Sequence, residues 1–123
     1  MSISNYLENK ILDKVFSNTD FTVTTAYVSL HTGDPGETGA DEAAGGSYAR
    51  QSAAFDASAS GATANAADIT FTAMPTATIT HIGVWDASTT GNFLWGGAAS
   101  ASKALTSGDE YKILEGDLDV TLD

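Results

Sequence analysis

The chain has 123 residues and a formal charge of −11, from 5 Lys+Arg against 16 Asp+Glu. That balance argues against nucleic acid or an anionic membrane as partner, because both are held by clustered Lys and Arg. The absence of Cys excludes disulfides, thiolate metal sites and Cys nucleophiles, and two His are too few for most all-protein zinc sites.

The length suits one domain. The apolar fraction is 42%, but much of it is Ala. The core must come from the Ile, Leu, Val, Met and aromatic residues, enough for one small interior with a modest stability margin. No apolar run nears the roughly 20 residues that span a bilayer. The opening Met1-Ser2-Ile3-Ser4-Asn5 has neither a basic nor an apolar leader region, so a protein soluble in the cytoplasm in which it is made is expected.

Residues 4–17 read as a helix. Ser4 or Asn5 can cap it, and Asn5 with Glu8 has capping-box spacing. At about 100° per residue from Leu7, Ile11 falls near 40°, Val15 near 80°, Leu12 near 140° and Phe16 near 180°. The apolar arc covers about half the cylinder, wider than one contact with a sheet requires. One side can cover the body while the other meets a second protein or another copy. Lys10 and Lys14 sit on the polar flank and, with Arg50, make three of only 5 cations. Tyr6, Lys10, Leu12, Lys14, Phe16 and Arg50 are therefore the candidate partner-binding residues.

Beyond residue 20, short runs of Thr, Val, Ile, Tyr and Phe alternate with turn residues, a strand signature. Ala26 to His31 sets Val28 and Leu30 against Tyr27, Ser29 and His31. Ser47 to Gln51 leads into a strand ending at Phe55. Asp68 to Thr72 puts Ile69 and Phe71 on one face. Ala77 to Trp85 sets Ile79, His81, Gly83 and Trp85 against Thr78, Thr80, Ile82 and Val84. The turn cluster Asp86 to Asn92 then returns the chain through Phe93-Leu94-Trp95. Tyr111 to Leu114 and Leu118 to Leu122 are two further strands, the last with Leu118, Val120 and Leu122 inward and Asp117, Asp119, Thr121 and Asp123 outward. Loops 33–46 and 56–67 hold little apolar surface and are expected to be exposed and mobile, or ordered only by a neighbour. The expected fold is mainly β: a single-domain antiparallel β-sandwich, jelly-roll-like, with residues 1–18 as an N-terminal helical segment and 19–123 as the body.

Candidate chemistry is sparse. Asp34, Glu37, Asp41 and Glu42 lack the spacing of a calcium loop and read as a solvated acidic loop. Asp117 and Asp119 read as a wet strand face. His31 and His81 come with no nucleophile elbow, no His-Glu-x-x-His and no phosphate-cradling Gly loop, so a hydrogen-bonded, half-buried His81 is expected. Trp85 and Trp95 could form a sugar-binding platform, but packed aromatics are the default. No catalytic residue, cofactor or metal is assigned.

Several segments together resemble a known group. They are Ser2-Ile3-Ser4-Asn5-Tyr6-Leu7-Glu8-Asn9-Lys10-Ile11-Leu12-Asp13, Leu30-His31-Thr32-Gly33-Asp34-Pro35-Gly36-Glu37, and Gly46-Ser47-Tyr48-Ala49-Arg50-Gln51. Thr80-His81-Ile82-Gly83-Val84-Trp85-Asp86-Ala87, Gly91-Asn92-Phe93-Leu94-Trp95 and Gly116-Asp117-Leu118-Asp119-Val120-Thr121-Leu122-Asp123 complete the set. In this order they resemble small structural proteins of tailed bacteriophages, labelled tail-fibre-like or capsid cement and decoration proteins. The resemblance implies a non-enzymatic virion component and carries over no active-site residue. A fibre needs length, repeats or a coiled coil, none of which is visible here. A cement protein needs a compact body, an arm and many weakly bound copies. The expectation is therefore capsid decoration, with the major capsid protein or copies of itself as partner. Attachment to the tail fibre or baseplate, with a carbohydrate-binding role, is the alternative.

Overall fold

A computed structural model describes residues 2–122; Met1 and Asp123, the latter expected on the outward face of the last strand, lie outside them. The elements are β1 (Ser2–Ile3), α1 (Asn5–Phe16), β2 (Ala26–His31), β3 (Gln51–Ala53), β4 (Ala62–Ala64), β5 (Ile69–Phe71), β6 (Ala77–Trp85), β7 (Phe93–Leu105), β8 (Tyr111–Ile113) and β9 (Asp119–Thr121). Five strands form one antiparallel sheet in the order β1-β7-β6-β2-β3. Two short ladders, β4-β9 and β5-β8, supply the opposing layer. The fold is thus mainly β with one N-terminal helix, as the sequence leads one to expect, though the second layer is two ladders rather than a continuous sheet.

The helix starts where Ser4 leaves the strand. Its hydroxyl accepts from the Leu7 amide at 3.2 Å and donates to the Phe93 carbonyl at 2.6 Å. The cap is therefore also the weld between α1 and the sheet. The Asn5 amide, a donor the helix itself leaves free, is taken by Glu37 from the distant loop 33–46 at 2.7 Å. No residue of α1 is buried. Tyr6, Leu7 and Ile11 pack partly against the core, and the rest faces solvent.

One core lies between the sheet and the two ladders, built from Val28, Leu30, Ile79, Ile82, Val84, Trp95, Ile69, Phe71, Tyr111, Ile113 and Leu118 among others. Alternation along β6 does not hold. Between Ile79 and His81, β6 advances by two residues while β7 runs from Lys103 to Ala98. The extra residues lie on β7, which bends there, and Ile79 belongs to the core together with Ile82 and Val84.

Loop 33–46 is exposed over most of its length, as its composition suggests, but it is pinned to the body. It folds back over the other face of the sheet, where Pro35, Gly39 and Ala43 are buried. Backbone bonds from Ala43 to Leu30 and from Thr32 to Asp41 pin it there. Gly39, at φ +76°, lies so close to Trp85 that a Cβ would sit 2.3 Å from the indole. Loop 56–67 is likewise ordered, since it contains β4. Asn65 is fully buried and accepts from the Leu118 amide while donating to the carbonyls of Ala67 and Leu114. The last strand is shorter than expected, with Leu118 buried and Leu122 57% exposed. No described helix is long and apolar enough to cross a membrane.

Candidate functional site

Two regions hold the residues the sequence singles out. The first is the face of the sheet under loop 33–46. His31 and Ser29 are fully buried there. His31 Nδ1 lies 2.7 Å from the Ala40 carbonyl, which only accepts, so Nδ1 carries the proton. Nε2 then accepts from the Ser29 hydroxyl at 2.6 Å, and Ser29 Oγ accepts from the Trp85 indole at 2.9 Å. Burial lowers the His31 pKa, outweighing the Ala40 bond and the nearby Glu42 charge, which raise it. The result is a neutral, fully partnered imidazole with no open side for a substrate.

Beside it, Arg50 makes two bonds to the Glu42 carboxylate, at 3.0 and 2.9 Å, and donates to the Ala87 and Thr90 carbonyls. Its guanidinium carbon stands 3.6 Å above the Trp85 ring. The Tyr48 hydroxyl donates to Glu42 at 2.7 Å and accepts from the Leu30 amide. Burial acts to raise the Glu42 pKa, but the Arg50 and Tyr48 bonds and the Arg50 charge hold it below the usual value. Burial pushes the Tyr48 phenol well up.

Arg50 lies away from α1, with its side chain 8% exposed. Its donors are shared between Glu42 and the turn that joins β6 to β7. The same geometry removes the aromatic platform, because Trp85 and Trp95 are both buried. The acidic residues of the loop diverge. Asp34 accepts from Gly36, Glu37 caps α1 and Glu42 holds Arg50. Among the described residues no three His, Asp or Glu converge on a common point. His81 is half-buried with Nδ1 2.8 Å from the Thr80 hydroxyl.

The second region is α1 and its surroundings. Tyr6 packs edge-on to Phe21, and the Lys10 ammonium lies 5.5 Å from the Tyr6 ring. Lys14 pairs with Asp20 at 3.3 Å in full solvent, a weak link. Leu12, Val15 and Phe16 are 54%, 65% and 80% exposed. Beside them runs an apolar groove of about 220 Å³ between the helix and the β4-β9 ladder, lined by Ile3, Leu7, Ile11, Val120 and Leu122 among others. The structure thus keeps Tyr6, Lys10, Leu12, Lys14 and Phe16 on one element and sends Arg50 elsewhere. The far wall of the groove is not apparent from sequence. Ala62 to Ala64 carries no apolar alternation, and Leu122 reads as core.

No curated protein gives a significant match to the chain. Residues 2–121 match the family model described as podophage GP4 fiber I protein gp80. With the match running over nearly every residue of both regions, the chain belongs to this family of phage fibre proteins.

Proposed function

We propose that this protein is a non-enzymatic building block of the tail fibre, fixed to its neighbours through the uncovered side of α1. As a family member it is a structural component of the virion of a tailed phage. The family supports the fibre over the capsid lattice that the argument from chain length favours. That argument fails physically because a fibre can also be assembled from many short chains, each supplying one segment. The partners are accordingly tail or baseplate proteins and further fibre subunits.

One observation carries the docking role: Leu12, Val15 and Phe16 remain exposed on a helix whose inner side already meets the core. Exposed apolar residues in contiguous groups mark interaction sites. Tyr6, Lys10 and Lys14 flank them on the same helix. The polar cluster around His31 supports the non-enzymatic reading, since each of its donors is internally satisfied. Cryo-electron microscopy of virions decorated with antibody fragments raised against the purified chain tests the assignment. Density on tail fibres is expected. Density spread over the capsid shell would restore the cement reading.

A further inference from the structure

The main sheet and the β5-β8 ladder close on each other along one side only. There β3 lies against β5, and Tyr48 stacks on Phe71. On the other side β7 and β8 share no ladder. A crevice of about 240 Å³ separates them, lined by Ala98, Ala99 and Ser100 of β7 and by Tyr111, Lys112 and Ile113 of β8. Side chains alternate faces along a strand, so a crevice lined by successive residues meets each strand at its edge. Both edges are unpaired among the described residues. β1 covers β7 only at Trp95 and Gly96, and β8 pairs with β5 alone. Between Ala98 and Lys103, β7 leaves the β6 ladder as well, with Ala99 to Ser102 opposite Thr80.

An open strand edge specifies its complement, an extended backbone. The crevice adds a side-chain contact. Trp95 lines it and is 2% exposed, and its indole N–H has no acceptor among the described residues. A buried donor left unpaired is costly, so the segment that fits brings an acceptor to that position. A second copy has no strand to give, because every described strand of this chain is already paired in a sheet or ladder. The irregularity of β7 and the charge of Lys103 guard the edge against a whole folded sheet, and the crevice between the layers leaves room for a lone segment. We propose that the crevice between β7 and β8 is a strand-addition site. It takes an extended arm of another virion protein, laid along the β7 edge with one acceptor side chain against Trp95 Nε1. The arm joins the main sheet to the β5-β8 ladder. The site rests on the reading of this chain as a virion building block and adds a second contact to the one at α1.

Hydrogen–deuterium exchange resolved to single residues tests it on the purified chain and on intact virions. In the free chain the amides from Ala99 to Ser102 are expected to exchange freely. On the particle, alternate amides are expected to slow by about a hundredfold or more, because only every second amide of a strand faces an added neighbour. Uniform slowing would overturn the proposal by marking a covering surface instead of a paired strand. Unchanged exchange would overturn it by showing an empty edge. A photo-reactive diazirine analogue of lysine at position 112 then identifies the occupant in the same virions. Cross-links to one segment of a different virion protein are expected, and cross-links to a second copy of this chain overturn the choice of arm. Intact virions carry the protein wherever it sits, so a mistaken fibre location leaves both readouts valid.

Discussion

The two regions built around the sheet differ in how completely they satisfy themselves. Under loop 33–46, the donors of His31, Arg50, Tyr48 and Trp85 have partners within the chain, and the small residues of the loop close over them. At α1, the backbone is capped twice yet a stripe of large apolar side chains is left bare. The more elaborate region is therefore the self-satisfied one. A cluster of Ser, His, Arg and Glu can look like chemistry, but its hydrogen bonds here fasten a loop and a turn.

Substitutions in the first region should be costly for folding and those on the exposed stripe of the second nearly free. The largest effect is expected for Arg50→Ala. It strands the Glu42 carboxylate, 22% exposed, beside Tyr48, and breaking such a pair costs about 3 kcal/mol. Urea denaturation measures it, and Arg50→Lys should recover little because a point charge cannot span the carboxylate and two carbonyls. Gly83→Ala comes next. A Cβ there would stand 2.7 Å from His31 Nε2, Ser29 Oγ and the Phe93 ring, all buried. Overpacking of this kind costs about 2 kcal/mol. Ser4→Ala removes a cap and a bond to β7, for about 1 kcal/mol. A loss no larger than that of a surface Ser would show that α1 is held by its apolar side alone.

Acid should act on the first region. His31 has a folded pKa below its ordinary 6.5, so between those values the unfolded chain binds a proton that the native one refuses. Stability therefore falls as pH drops below about 6.5 and stops falling at the folded value. Glu42 adds a second decline, because its lowered carboxyl pKa contributes stability that is present above about 4.5 and lost as pH falls through the folded value. The Tm of wild type should decline in two stages, and His31→Gln should flatten the upper one. Phe16→Asp is expected to have the smallest effect on stability, within about 0.5 kcal/mol, while removing association.

Legibility in the sequence followed side-chain pattern. The helix, β2, β6 and the turn at 86–92 announce themselves through apolar spacing and turn residues, and the structure places them as expected. Loops 33–46 and 56–67 hide their order because it is carried by backbone bonds, Ala, Gly and one buried Asn, none of which makes a periodic signal. The second half of β7, from Ala98 to Leu105, is Ala, Ser and Lys up to its final Leu and gives no strand signature. The burial of Ile79 alongside Ile82 and Val84 is unreadable from β6 alone, because the irregularity beside it lies on β7. Arg50 looks like a surface cation until the distant Glu42, Ala87 and Thr90 are brought beside it. The exposed helix stripe was readable from the angular spacing of Leu12 and Phe16, but the groove between α1 and the β4-β9 ladder required the fold.

The central claim is that α1 is covered by protein in the assembled particle while the loop side is complete in the free chain. Hydroxyl-radical footprinting of isolated protein and intact virions reads this directly at Leu12, Phe16 and Tyr48. The account predicts strong protection of Leu12 and Phe16 on the particle and no change at Tyr48. Equal labelling of the helix in both states would contradict it.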